Sequence, residues 1–378
     1  MTIYILYSAD YELFLGGNYR DENEVLINPT NDLLDMCDRL RLPLTLFADI
    51  FSILRYKEHN LFGFPNAAEK QLKDALQRGH DVQSHVHPHW KYTRIEGNRY
   101  AVNTDYFLLG KLDTDPEALY AKILDCLVTS RNYLHDLLRQ VNPDYHCVAF
   151  RAGGYGLQPN TSTLIKALTD AGFIIDSSIV PDLVIRNTIN EIDFSRVPNL
   201  ANYYLDDWVN SPSIKDHGIF EIPLASCTFS IGENFLAQIS IVSQYIQKRR
   251  TGKPSGSRER EKGYQIQKNE NQKATPEPET SKYYNFLRDF WYDRFYYLDC
   301  STNDEKMVQC TKKYLKQFDG VHNNVFFSCN MHPKEMTPEH MSALEKYHTA
   351  LKTYYQGNIQ AISYQQAAEM ITKKGFLP

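Results

Sequence analysis

Gly79-His80-Asp81-Val82-Gln83-Ser84-His85-Val86-His87-Pro88-His89 is the stretch of this chain that decides its fold. A helix over Ala67–Arg78, capped by Gly79, leads into a strand over Asp81–Ser84. Three imidazoles then follow within five residues, and neutral imidazole is the commonest protein ligand for zinc-like metals. A helical turn after Ser84 puts His85 and His89 on one face. An extended continuation points His85, His87 and His89 to one side instead. Pro88 lacks an N–H and is unwelcome within a sheet, so the strand is expected to end near Ser84 and continue as a bent loop.

Outward from this stretch the same alternation recurs. Ile3–Ser8 is a near-continuous apolar run, as suits a strand buried on both faces. A helix over Asn31–Leu40 and a strand over Pro43–Ala48 follow. Beyond the histidines, Thr114-Asp115-Pro116 starts a long helix. His146–Phe150 reads as a strand, Ser162–Ala171 as a helix ended by Gly172, and Phe173–Ile175 as a strand. Further strands are expected at Ile219–Leu224, Val325–Cys329 and Ile359–Ser363, with a closing helix. Such alternation points to parallel strands with helices outside, as a barrel or an open sheet.

The rhythm breaks between about Arg249 and Ser281, where Gly, Pro and mixed charges replace apolar residues. Residues 251–280 are therefore read as a mobile insertion within a single domain spanning 1–378. The aromatic block from Tyr283 to Tyr297 is expected to be a helix packed on the body.

Composition excludes several classes. At 378 residues, with 42% hydrophobic and 23% charged residues, the chain is a soluble globular protein. A formal charge of -5 argues against nucleic acid as a main partner. Seven cysteines without a C-x-x-C pair suit reduced thiols. Met1-Thr2-Ile3-Tyr4-Ile5-Leu6-Tyr7 reads as a strand and not as a signal peptide, and no apolar run approaches a membrane span. A cytoplasmic location is expected.

In parallel α/β folds, ligands gather at the carboxyl ends of the strands. Asp10 and Glu12 follow the first strand, Asp49 the second, and the histidines the third. Arg151 follows His146–Phe150, and His332 follows Val325–Cys329. All of them lie where one shared pocket forms. Asp49 is read as a capping or turn residue.

These motifs resemble the polysaccharide deacetylase (NodB-homology) superfamily. His85-Val86-His87-Pro88-His89 matches the spacing of its H-[S/T]-x-x-H motif, with Val86 in place of the hydroxyl residue. Asp10-Tyr11-Glu12 is similar to a D-x-E variant of its first motif, which normally holds two adjacent aspartates. Phe150-Arg151-Ala152-Gly153-Gly154-Tyr155-Gly156 resembles its R-x-P-[FY] motif without the Pro, and Asn330-Met331-His332-Pro333 its late histidine motif. The resemblance implies a (β/α) barrel of the distorted seven-stranded type. It also implies a metal-dependent hydrolase that removes acetyl groups from N-acetylated sugars. One divalent metal is expected, zinc first, with cobalt, nickel or manganese as alternatives. Asp10, His85 and His89 are its implied ligands, and His87 is left outside that shell. Asp10 or Glu12 is the expected base and His332 the acid, and Arg151 is expected to clamp the basic carboxylate. The implied partner is an N-acetylated saccharide, or a nucleotide- or lipid-linked sugar. Hydrolysis of another C–N bond, of cyclic-imide or ureide type, and a catalytically silent glycan-binding homologue are the alternatives. Metal content separates the first alternative from the deacetylase. The loss of the second Asp in the first motif keeps the silent homologue in view.

Overall fold

The computed structural model describes residues 2–15, 21–96, 99–211, 214–233, 294–320 and 323–373. Seven parallel strands form its centre: β1 (Thr2–Tyr11), β2 (Leu44–Asp49), β3 (Asp81–Val86), β4 (Ala149–Ala152), β5 (Ile175–Asp176), β6 (Phe220–Glu221) and β7 (Asn324–Cys329). From β1 to β6 each pairs with the next in sequence order, and β7 pairs with β1. The ring is joined just beyond β6. Leu224 bridges Ser328 of β7 in parallel, with Ser328 N–H donating to Pro223 O at 2.9 Å. The sheet is thus a curled, mostly parallel barrel, as the sequence led one to expect. A short strand β8 (Ile359–Ala361) adds to the start of β1, and Tyr203–Tyr204 pairs antiparallel with β6.

Helices α1 (Asn28–Leu40), α2 (Ile50–Glu58), α3 (Gly63–Gln77), α4 (Pro116–Leu138), α5 (Thr161–Asp170), α6 (Asp304–Lys316), α7 (Pro338–Tyr355) and α8 (Tyr364–Ile371) complete the frame. The start signals of α4 act as read: Pro116 opens the helix and the Asp115 side chain accepts from Ala118 N–H at 2.8 Å. Asp49 caps α2 by accepting from Phe51 N–H at 3.3 Å. Helix α2 escaped the sequence reading because it follows β2 with no intervening polar loop.

Strand alternation on β1 links the core to the chemistry. Ile5, Tyr7, Ala9 and Tyr11 pack outward into the main hydrophobic cluster under the helices. Leu6 points inward and joins Phe47, Ala149, Ile175, Phe220 and Phe326 in an apolar plug, with Tyr364, Ala367 and Ile371 of α8. Ser8, Asp10 and Glu12 continue the same inward row towards the carboxyl end. The barrel interior therefore grades from apolar at one end to polar and charged at the other.

Several boundaries differ from those read in the sequence. Strand β1 runs on through Tyr11 and β3 through Val86, because ladder bonds to β2 and β4 outlast the apolar runs. The strand expected at His146–Phe150 starts only at Ala149. Gln83, facing inward from β3, takes the amides of Val148 and Ala149 on Oε1 at 2.8 Å each, so side-chain bonds replace the ladder there. In the aromatic block, Phe295–Tyr297 is a strand paired with Ser226–Thr228, where a helix was expected. Residues 251–280 and residues 283–293 of that block lie outside the described residues.

Candidate active site

Arg151 on β4 is the hub beneath the site and is fully buried. Its Nε donates to Ser177 O at 2.8 Å, and Nη2 donates to Ser177 Oγ, Ser328 Oγ and Tyr364 OH. Nη1 donates to Ser8 Oγ at 2.9 Å, Asn330 Oδ1 at 2.6 Å and Asp10 Oδ1 at 2.8 Å. The guanidinium also lies 4.2 Å from the centroid of Phe47. Arg151 thus holds Asp10 through a single nitrogen, not as the two-pronged clamp the sequence suggested. Its other donors are spent on the barrel wall. Asn330 Nδ2 fixes the second oxygen of Asp10 at 2.9 Å. Burial alone would raise the Asp10 carboxyl, but Arg151, His85 and His332 outweigh it and hold it well below the usual carboxylate range.

Glu12 sits one inward position further out and turns towards the histidines. Its Oε2 lies 3.3 Å from His85 Nε2 and in close contact with His87 Nε2. Its Oε1 accepts from Lys334 Nζ at 2.7 Å. Burial opposes ionisation here too, yet Lys334 and His87 keep the Glu12 carboxyl well below its ordinary value. His85 Nδ1 bonds to Arg151 O at 2.9 Å, which turns Nε2 towards Glu12. Glu12, His85 and His87 bring one ligand atom each within 4.8 Å of the others.

This set departs from the expected Asp10, His85 and His89, and the reason is local backbone. Strand β3 ends at Val86, but His87 keeps extended angles (φ -107, ψ 93), so residues 85 and 87 share a face. Pro88 then opens a short 3-10 turn, Pro88–Tyr92, which takes His89 out of the row. His89 is buried between Trp90 and Phe107, with ring centroids at 5.5 and 5.9 Å, and among the described residues neither ring nitrogen has a hydrogen-bond partner. Burial, followed by the nearby His87, pushes its imidazole well below the ordinary value. His87, left outside the shell in sequence, stands in the group whose atoms could hold a metal.

Gly153 explains part of this arrangement. It stands where the resembling motif has Pro, and a Cβ there would lie 2.5 Å from His87 Nδ1. Gly154 takes φ +61, and a Cβ on it would press 2.5 Å from Phe107. The glycine pair lets the His87 ring and the aromatic wall approach the β4 turn.

His332 comes from the turn after β7. Its Nε2 is 3.4 Å from Asp10 Oδ2 and 3.8 Å from Glu12 Oε1, and its Nδ1 is 3.4 Å from Asp299 Oδ2. Burial works to lower its pKa, but Asp299 and Asp10 outweigh this and raise it well above the ordinary imidazole value. Asp49 lies below the histidine pair, where burial outweighs His87 and His85 and lifts its carboxyl to about 6. Asp10, Glu12, His85, His87, His89, His332 and Lys334 all line one cavity of about 170 Å³, walled by Trp90, Phe107 and Tyr155. Lys334, Asn330, Ser8 and Asp299 were missed as site residues. Asn330 alone had a signal, since it belongs to the late histidine motif.

No family model matches the sequence. No curated protein matches it either. Similar solved structures include two assigned as polysaccharide deacetylases and an allantoinase. One is a chain assigned as a polysaccharide deacetylase from Mycobacterium smegmatis, 13% identical, with a TM-score of 0.45, covering 100% of this chain and 92% of that one. Another, assigned likewise, from Pseudomonas aeruginosa PAO1, is 13% identical with a TM-score of 0.46, covering 99% and 93%. The allantoinase Puue is 11% identical with a TM-score of 0.48, covering 99% and 92%. Superpositions this loose leave the functional case to the site's own geometry. Among the described residues, no helix is long and apolar enough to cross a membrane.

Proposed function

We propose that this protein is a metal-dependent amide hydrolase that removes the acetyl group from an N-acetylated sugar. The observation that carries the reading is the convergence of Glu12, His85 and His87 beside the Asp10–His332 pair in one cavity. One carboxylate and two imidazoles are a donor set suited to zinc and its neighbours. A divalent ion held there supplies Lewis acidity, which polarises an acyl oxygen and acidifies a water. With Glu12 among the residues that would hold the ion, Asp10 is the carboxylate left to accept a proton from an attacking water. Arg151 and Asn330 fix its orientation, though Arg151 also weakens it as a base. His332 holds a proton at Nε2 facing Asp10 and is the acid for the departing amine. Asp299 steadies its other nitrogen. Trp90, Phe107 and Tyr155 provide apolar faces of the kind on which sugar rings stack.

A second reading is hydrolysis of a different C–N bond, such as a cyclic amide, without metal. Lys334 favours it, because its ammonium already meets Glu12. Metal analysis of the purified protein, paired with acetate release from N-acetylated saccharides, separates the two. Stoichiometric metal with acetate release supports the deacetylase. A metal-free protein that releases no acetate refutes it.

A further inference from the structure

Cys227 and Cys310 meet outside the site described above. Cys227 lies on the short strand Ser226–Thr228, opposite Tyr296 of Phe295–Tyr297. Cys310 projects from α6, which packs on that strand, and its Sγ lies 4.0 Å from Ala225 O and 3.9 Å from Tyr296 O. The two cysteines and Phe229 form a small buried cluster of their own, and the Cys310 thiol donates a hydrogen bond to the Cys227 sulfur. Lys306, Cys310 and Lys313 recur at helical spacing on one face of α6. Lys306 Nζ lies 5.5 Å and Lys313 Nζ 5.9 Å from the Phe229 ring centroid, which brings both ammoniums to the edge of the thiol pair. Cys227 also lines a cleft of about 470 Å³, together with Lys313, Asp182, Ser195 and Asn199, where a small solute can reach it. That cleft shares no residue with the active-site cavity. Cys310 is fully buried and does not line the cleft.

The seven cysteines are not alike. Burial pushes the thiols of Cys37, Cys126, Cys147, Cys300, Cys310 and Cys329 up, as suits inert core residues. Cys227 alone moves down. The hydrogen bond from Cys310, then Lys313 and Lys306, outweigh burial and Glu233. The thiolate is the nucleophilic form, and a cationic setting with solvent access marks reactive cysteines. A second thiol in contact with such a cysteine is placed to resolve its oxidised form.

We propose that Cys227 and Cys310 are a reversible oxidation site, with Cys227 the attacking thiol, Cys310 the resolving one and a small hydroperoxide the oxidant. The Cys227 sulfur takes one oxygen of hydrogen peroxide. An S–O bond forms, the O–O bond breaks, and the departing hydroxide takes up the proton that Cys227 released. The Cys310 sulfur then attacks the Cys227 sulfenic acid. An S–S bond forms, the S–O bond breaks, and a second water leaves with the Cys310 proton. The peroxide is reduced while the two thiols are oxidised to one disulfide, which fastens the strand to α6. This site stands independently of the metal-dependent reading.

Peroxide treatment of the reduced full chain, followed by alkylation and peptide mass mapping without reductant, tests this. A Cys227–Cys310 disulfide should form, outpacing oxidation of every other cysteine about tenfold or more. A dithiol reductant should return both to thiols. Cys310→Ser should stop at the sulfenic acid, so that dimedone labels Cys227, and Cys310→Ala serves if that variant folds poorly. Cys227→Ser should leave Cys310 a free thiol at the same peroxide dose. The proposal is overturned if the wild type forms no such disulfide, or forms it no faster than the other cysteines react. Dimedone on a different cysteine in Cys310→Ser overturns it too, as does oxidation of Cys310 at the wild-type rate in Cys227→Ser.

Discussion

Replacing Arg151 with Met removes the central cation of the barrel while keeping most of its stem volume. Arg151 is 0% exposed, and its guanidinium donates to seven acceptors on Ser8, Asp10, Ser177, Ser328, Asn330 and Tyr364. Breaking a buried ion pair from one side costs about 3–5 kcal/mol, because the partner charge stays behind. The neutral acceptors left unsatisfied keep the cost at the upper end of that range. The sign with pH is determined. In the wild type the Asp10 pKa is lowered, so its contribution is present above the unfolded carboxylate value and is lost as pH falls through the folded one. In Arg151→Met, burial works against ionisation while His85, His332 and the Asn330 amide oppose it. The Asp10 pKa then rises, and the variant loses stability as pH increases through the raised value. The penalty should therefore be larger near pH 7.5 than near pH 4.5. Urea unfolding of the metal-free proteins at both pH values measures it, and Arg151→Met/Asp10→Asn should recover part of the loss. A penalty under about 1 kcal/mol, or one equal at the two pH values, refutes the reasoning.

Four further outcomes are expected. Elemental analysis should find metal lost in His87→Ala and retained in His89→Ala, since only His87 stands with Glu12 and His85. His332→Ala should slow acetate release by about 10²–10⁴-fold while leaving metal content unchanged, because the ligand group is intact. Gly153→Ala should weaken zinc binding about tenfold or more by titration, because its Cβ would meet His87 Nδ1 at 2.5 Å. The fourth concerns the fully buried Asp176 and Glu221, where burial and Asp176 raise the Glu221 pKa well above its ordinary value. That contribution is present at low pH and lost as pH rises through the folded value, so Glu221→Gln should flatten the decline of stability on the alkaline side.

The succession of strands and helices, and the carboxyl-end placement of Asp10, Glu12, His85, Arg151 and His332, were legible in the sequence. Both rest on local rules: apolar runs make buried strands, and parallel strands carry their polar residues out at one end. The inward row Leu6, Ser8, Asp10 and Glu12 was equally implicit in the strand period. Which histidine joins His85 was not decided locally. Extended and helical continuations after Ser84 were both compatible with the sequence. The choice fell to β4, whose ladder holds residues 84–86 extended, and to Gly153, which leaves room for the His87 ring. The surroundings of Asp10 and Glu12 were set the same way. Arg151 and Asn330, far away in sequence, pin Asp10 to the barrel wall, while Lys334 and the imidazoles gather Glu12. Lys334 itself carried no local signal. It meets Glu12 only because the turn after β7 folds it against a carboxylate 322 residues away, where both side chains are buried.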